Sequence, residues 1–485
     1  MKIATRTWVA AVAVVLAMSA APAMAAGKVC DVKQYGAKGD GTSKDTAAIQ
    51  KAIDECSAGK GGGTVVLEAG TYMSAPILLK SNMTLELKKG ATLLGSPDHD
   101  DYPEITEFRE QGHQALVSAV NAENVAITGE GVIDGNGASW WHMFGPPPGA
   151  GGPGAAGPGA GAPRASGPGA GAPGAVGPGA GAPRAGGPAV GAPGAAGPGA
   201  GAPGAGGFAR RAERPRLIVF DHCKHVSLTG VTVQNSPSWT VVPYYSDDVA
   251  IRHVRITATL PSPNTDAIDP FSSSNVVIDH VYADVGDDNV AIKSGQPGSQ
   301  GGDAPSKNIT ITDCTFDHGH GVSIGSEIAG GVENVRVERV SFKGTDQAIR
   351  IKANRDRGND VSNISYKDIT MDGVTKASIS ISEYYPQVMP SGPVAAQPVG
   401  PLTPHFHNIR IENVKGVNAA WAGAIVGLPE SHVDDIVLKN VNIQAKKGLQ
   451  IGYADVTADG LIISTTDGSQ PITFGPEGKI IEAKK

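Results

Sequence analysis

Aromatic residues make up only 5% of the 485-residue chain, and charged residues only 18%. So few charges exclude a coiled coil or a long solvated helical array. There is no basic excess either: 40 Lys and Arg stand against 47 Asp and Glu, a formal net charge of −7. Nucleic acid is therefore not an expected partner. Cysteine is scarce, with Cys30, Cys56, Cys223 and Cys314 the only four, and no Cys-x-x-Cys or His/Cys spacing sets out a metal site. No cofactor is expected. No apolar run is long enough to span a bilayer, so no membrane association is expected. What the chain has in quantity is Gly (66) and Pro (35), unevenly spread: residues 145–207 hold 25 of the Gly and 14 of the Pro. The hydrophobic fraction of 40% is enough for a sizeable core elsewhere.

Residues 1–25 read as a signal peptide. Lys2 and Arg6 give a charged start, residues 8–18 an apolar run, and Ala23-Met24-Ala25 a small-x-small cleavage site. A secreted or periplasmic protein is expected, in a compartment that permits disulfides. After Cys30, residues 31–41 read as a short strand and a Gly-rich loop. Ser43 or Asp45 is placed to cap a helix whose apolar face is Ala48, Ile49, Ala52, Ile53 and Cys56. Cys30 and Cys56 flank this unit and are placed to pair.

From Thr64 onward the chain consists of short β-type runs. Units beginning at Asn124, His225, Asp248, Asn275, Asn308, Asn334, Asn363, Asn408 and Asp435 share one pattern, a polar residue followed by alternating apolar positions. From His225 the steps are 23, 27, 33, 26, 29, 45 and 27 residues. Steps in the twenties fit one coil of a parallel β-solenoid, an all-β architecture in which each coil stacks on the last. A β-sandwich is the competing architecture. The Asn or Asp at each unit start should sit at a turn, longer steps should mark projecting loops, and the helix should cap the amino end. Cys223 and Cys314 then lie about four coils apart, on the order of 19 Å at ~4.8 Å per strand step. That is beyond the ~7 Å reach of a disulfide, so both are expected as buried thiols. Residues 157–206 are five tandem decapeptides with almost no large side chains. They cannot bury a core and are expected to be disordered. The chain thus divides into 1–25 (signal peptide), 26–144 (cap and first coils), 145–207 (insert) and 208–485 (remaining coils, with the site).

Three carboxylates fall in two adjacent coils: Asp266 in Asn264-Thr265-Asp266, and Asp287 and Asp288 after Gly286. Asp266 and Asp287 are 21 residues apart, close to one coil, and should stack. Neighbours on a regular strand point to opposite faces, so a shared role for Asp287 and Asp288 requires a bend or bulge at Gly286. Grouped carboxylates repel, and one pKa should rise. A further coil carries His320 between Gly319 and Gly321, which by itself suits a structural histidine as well as a catalytic one. The next carries Arg350 and Lys352, two apart on a strand and so on one face. They suit an anionic ligand or a solvated basic pair. Together these coils present acids, a His and two cations, the layout of a sugar-acid hydrolase cleft.

The chain resembles glycoside hydrolase family 28, the polygalacturonases. The resemblance rests on Asn264-Thr265-Asp266, Asp287-Asp288, Gly319-His320-Gly321 and Arg350-Ile351-Lys352, in the family's order. It extends to residues 35–41, 132–137 and 235–239. It implies a right-handed parallel β-helix and inverting hydrolysis of α-1,4-galacturonan. By that pattern Asp287 is the general acid, Asp266 and Asp288 hold and deprotonate water, and His320 supports the acid. Arg350, Lys352 and Asn264 bind substrate, with Tyr384 or Tyr385. Polygalacturonate or pectin is the implied partner of a monomeric enzyme. Exo action is favoured over endo, because residues 145–207 and 294–306 lengthen the rim. The alternatives are a pectin-class lyase, a glycan-binding β-solenoid, and activity on xylogalacturonan or rhamnogalacturonan.

Overall fold

The computed structural model describes residues 27–59, 61–141, 214–296, 303–386 and 392–483. The expected signal peptide and the Gly/Pro/Ala-rich insert lie outside the described residues. So does the middle of the 294–306 loop. Short strands with alternating burial wind into parallel coils. One column of register-matched strands runs from Glu123–Gly129 through Lys224–Thr229, Asp247–Arg252, Ser274–Asp279, Ser306–Thr312 and Val332–Glu338 to Asp360–Asp372. A second runs from Val132–Asp134 through Thr232–Gln234, Arg255–Thr257, Tyr282–Asp284 and Thr315–Asp317 to Ser341–Lys343. The third passes Ile218–Asp221, Val241–Tyr244, Val290–Ile292, Val322–Gly325, Gln347–Lys352 and Ala377–Ser382. Among the described residues one large hydrophobic core runs from Cys30 to Ile463, with two smaller clusters besides. The architecture is the right-handed parallel β-helix, the hand that parallel crossover connections adopt almost without exception. Pairing of residues 117–134 with 218–234 makes the coils before and after the 142–213 segment one continuous helix.

The repeat units start where the sequence places a turn. Asn124, His225, Asp248, Asn275, Asn308, Asn334, Asn363, Asn408 and Asp435 all have φ between 50 and 59°. Asn tolerates this left-handed conformation better than most residues. Each Asn from Asn308 to Asn408 also donates its side-chain amide to the Asn of the preceding coil, at 3.0 and 3.1 Å for the Asn308–Asn275 and Asn334–Asn308 pairs.

The helix Thr46–Ser57 covers the amino end, with Ile49, Ala52, Ile53 and Cys56 buried and Ala48 partly so. Its start differs in detail from expectation. Ser43 belongs to the strand Asp40–Lys44, and the side chain of Asp45, at the cap position, does not bond the helix. The Asp45 carboxylate accepts instead from Lys38 N (2.7 Å) and Gly39 N (2.9 Å), which pins the Gly-rich loop. Cys30 and Cys56 form a disulfide, with Cα atoms 6.1 Å apart. Cys223, just before the strand Lys224–Thr229, and Cys314, just after Ser306–Thr312, are buried free thiols, and the strands they flank lie three steps apart along the first column rather than four. Burial pushes their pKa values up to about 11 and about 12.

Candidate active site

The third column carries the site. Bridges run Ile268 to Val290 and Val290 to Val322, and two residues before each bridged residue stand Asp266, Asp288 and His320, on successive coils. Asp288, rather than Asp287, is therefore the register partner of Asp266. Asp287 precedes it in the loop between the strands Tyr282–Asp284 and Val290–Ile292, where strand alternation does not apply. The chain bends at Gly286 and Asp287, as expected, and Gly286 also leaves space, since a Cβ there would meet Ser262 O at 2.1 Å. Gly321 has φ +73°, and a Cβ there would lie 2.4 Å from Gln347 O.

Asp288 is the anchor, its side chain 2% exposed. Its Oδ1 accepts from Ser323 Oγ at 2.6 Å and Arg350 Nη1 at 3.1 Å, and its Oδ2 from Lys352 Nζ at 2.8 Å. Asp287 Oδ1 meets His320 Nδ1 at 2.9 Å and accepts from Asp288 N at 2.9 Å. Asn264 Nδ2 reaches Asp287 Oδ2 at 3.4 Å, while its Oδ1 accepts from Arg214 Nη2 at 2.7 Å. His320 Nε2 lies 3.2 Å from Asp346 Oδ2. Asp266 is buried, and its Oδ1 has no hydrogen-bond partner among the described residues. Behind it Lys293 Nζ lies 3.9 Å from Asp266, 3.9 Å from Asp269 and 3.5 Å from Glu327.

These contacts sort the protons. Burial, then the carboxylates of Asp269 and Asp287, push the Asp266 carboxyl well above its usual range. Burial would raise Asp287 as well, but His320, with Lys352 and Arg350 behind it, holds it below the ordinary carboxylate range. Asp288 is likewise held low against burial by Lys352 and Arg350. Burial would lower His320, but Asp287 and Asp346 outweigh it and lift the imidazolium to about 10. One pKa of the carboxylate group rises, as expected, and it is that of Asp266. Asp287, Asp288 and His320 are close enough to resemble a metal-ligand trio. Both ring nitrogens of His320 already face carboxylates, Nδ1 that of Asp287 and Nε2 that of Asp346.

All the expected residues but one converge. Tyr385 places its ring 5.5 Å from the Arg350 guanidinium and 5.2 Å from Lys352 Nζ. Tyr384 is buried instead against Ala424, Val426 and Leu428, away from those two cations, the two rings diverging in the turn that follows the strand Ala377–Ser382. Four participants are not evident from the motifs. Arg214 follows the low-complexity segment with no pattern of its own, and Ser323 and Asp346 sit in ordinary strand and turn contexts. Lys293 does leave a signal, as a charge directly after the fully buried run Val290-Ala291-Ile292.

Residues 202–459 match the family model described as glycosyl hydrolases family 28, and residues 29–136 one described as rhamnogalacturonase A/epimerase, pectate lyase-like. A probable polygalacturonase of Vitis vinifera is 27% identical over 89% of this chain and 78% of its own length. An endo-polygalacturonase of Pectobacterium parmentieri is 27% identical over 86% and 88%. The crystal structure of a hyperthermoactive exopolygalacturonase from Thermotoga maritima superposes with a TM-score of 0.66 at 25% identity, over 94% of this chain and 91% of that one.

Proposed function

Because the chain belongs to family 28 of the glycosyl hydrolases, we propose that this glycoside hydrolase is a secreted polygalacturonase cleaving α-1,4-galacturonosyl bonds with inversion. The observation that carries the reading is the Asp287–His320 and Asp288–Arg350/Lys352 constellation beside a buried Asp266. Arg350 and Lys352 receive a galacturonate carboxylate, with the Tyr385 ring against both. Asp287 gives its proton to the glycosidic oxygen as the C1–O bond breaks. A water held by Asp266 and Asp288 forms the new C1–O bond from the opposite face and passes its proton to Asp266. Solvent then returns a proton to the Asp287–His320 pair and removes one from Asp266.

In the free protein the proton of that pair rests on His320, while Asp266 acts from its carboxylate form, although burial and its acidic neighbours favour the acid. Substrate binding favours the reverse at Asp287. A uronate that shares Arg350 and Lys352 adds negative charge and weakens their pull on the adjacent carboxylates, so Asp287 takes the proton across its 2.9 Å bond to His320. Exo action is the finer part of the proposal. It rests on the chain added between Trp141 and Arg214, both of which anchor beside the site.

Reducing-end release from polygalacturonate tests the reading. New reducing ends without the ultraviolet absorbance of an unsaturated sugar, and unaffected by chelator, support hydrolysis; absorbance would mark a lyase, and binding without cleavage a glycan-binding solenoid. Monomer from the first time points marks exo action, and mixed oligomers endo.

A further inference from the structure

The proposed reaction asks Asp266 to act as a base, yet nearly every neighbour favours its protonated form. Asp269 faces it from its own segment, and Asp287 and Asp288 from the next coil. His320, Arg350 and Lys352 are engaged by Asp287 and Asp288 on the far side of those carboxylates. Arg214 is committed to Asn264, and Arg216 lies against the Phe108 and Trp239 rings. The cation ion-paired with Asp266 is Lys293, whose side chain is 5% exposed. Its ammonium also lies 4.9 Å from the centroid of the Trp239 ring. Burial disfavours its charge, but Glu327, Asp266 and Asp269 together hold it positive.

We propose that Lys293 is a positioning residue for Asp266: shared among Asp266, Asp269 and Glu327 behind the cleft, its ammonium keeps Asp266 available as the carboxylate that accepts a proton from the attacking water. Lys293 reaches the Oδ2 oxygen of Asp266, which leaves the unpartnered Oδ1 for the water. Glu327 competes for the same ammonium and thereby tunes how much of it Asp266 receives. This inference rests on the polygalacturonase reading.

The test is the acid limb of the kcat/KM–pH profile on polygalacturonate. Lys293→Met removes the stabilising charge and should move the limb by about one unit or more to higher pH, with activity partly recovered there. Lys293→Arg should keep the limb near wild type. Glu327→Gln frees the ammonium for Asp266 and should move the limb to lower pH. Opposite movements in the two charge-removing variants support the role, since a purely structural defect lowers activity without displacing the limb in opposite directions. If Lys293→Met does not fold, as judged by circular dichroism, Glu327→Gln decides alone. A limb that is unmoved or shifted upward in Glu327→Gln overturns the inference. Absence of reducing-end release by the wild type, by contrast, overturns the polygalacturonase reading itself.

Discussion

The smallest unit with consequences is the chain Asp287–His320–Asp346. His320 bridges two carboxylates, and Thr375 Oγ1 and Lys376 Nζ both donate to Asp346 at 2.6 Å. The imidazolium has its pKa raised from 6.5 to about 10 in the folded protein. A raised folded-state value contributes stability that is fully present below the unfolded pKa and is lost as pH rises through the folded one. Thermal melts should therefore fall between about pH 6.5 and 10, and His320→Gln should flatten that decline. Asp346→Asn should lower the His320 pKa and move the alkaline limb of activity to lower pH. Asp287→Asn should reduce turnover by about 10³-fold or more while leaving the circular dichroism spectrum unchanged. At this scale the motifs made most of the site legible, because they fall on successive coils of one column. What they did not reveal is which carboxyl carries the raised pKa. That depends on His320, Lys352 and Arg350 surrounding Asp287 while Asp266 sits among other acids, a three-dimensional fact. The choice between Tyr384 and Tyr385 likewise needed the course of the turn after the strand Ala377–Ser382.

At the scale of elements, the turn asparagines and the amino-terminal unit repay mutation. Asn334 donates to Asn308 and accepts from Asn363, with φ +59°. Asn334→Ala removes both bonds and leaves a Cβ residue in the left-handed region, at an expected cost of about 1–2 kcal/mol in denaturant unfolding. Asn334→Gly should cost less, since it keeps the conformation without strain. The Cys30–Cys56 disulfide closes a loop with a sequence separation of 26, and Cys56→Ser should cost about 3 kcal/mol. Elements were the most legible level. The period-2 burial and the polar unit starts announce coil and turn, and the helix shows its apolar face. The Asp45 side chain was misjudged because a capping residue and a loop clamp have the same sequence signature.

As a whole the molecule is a stack in which each coil touches mainly its neighbours, and stability should spread along the axis accordingly. Among the described residues no helix is long and apolar enough to cross a membrane. The low-complexity segment, the most conspicuous feature of the composition, is framed by two fixed points. Trp141 donates its indole N–H to Ser236 O at 3.0 Å, and Arg214 bonds Pro237 O at 2.8 Å, Pro263 O at 2.7 Å and Asn264 Oδ1 at 2.7 Å. Deleting residues 157–206 should leave the melting temperature and kcat on short oligogalacturonates near wild type. A change confined to product size on long substrate would tie the segment to the mode of attack.

Those two anchors separate length from chemistry. Tandem decapeptides are prone to gain or lose copies, yet a change in copy number would move neither Trp141 nor Arg214. The guanidinium of Arg214 touches Asn264, which in turn touches Asp287. Drift in the repeat would therefore pass unfelt at the scissile bond, whereas replacing Arg214 would not.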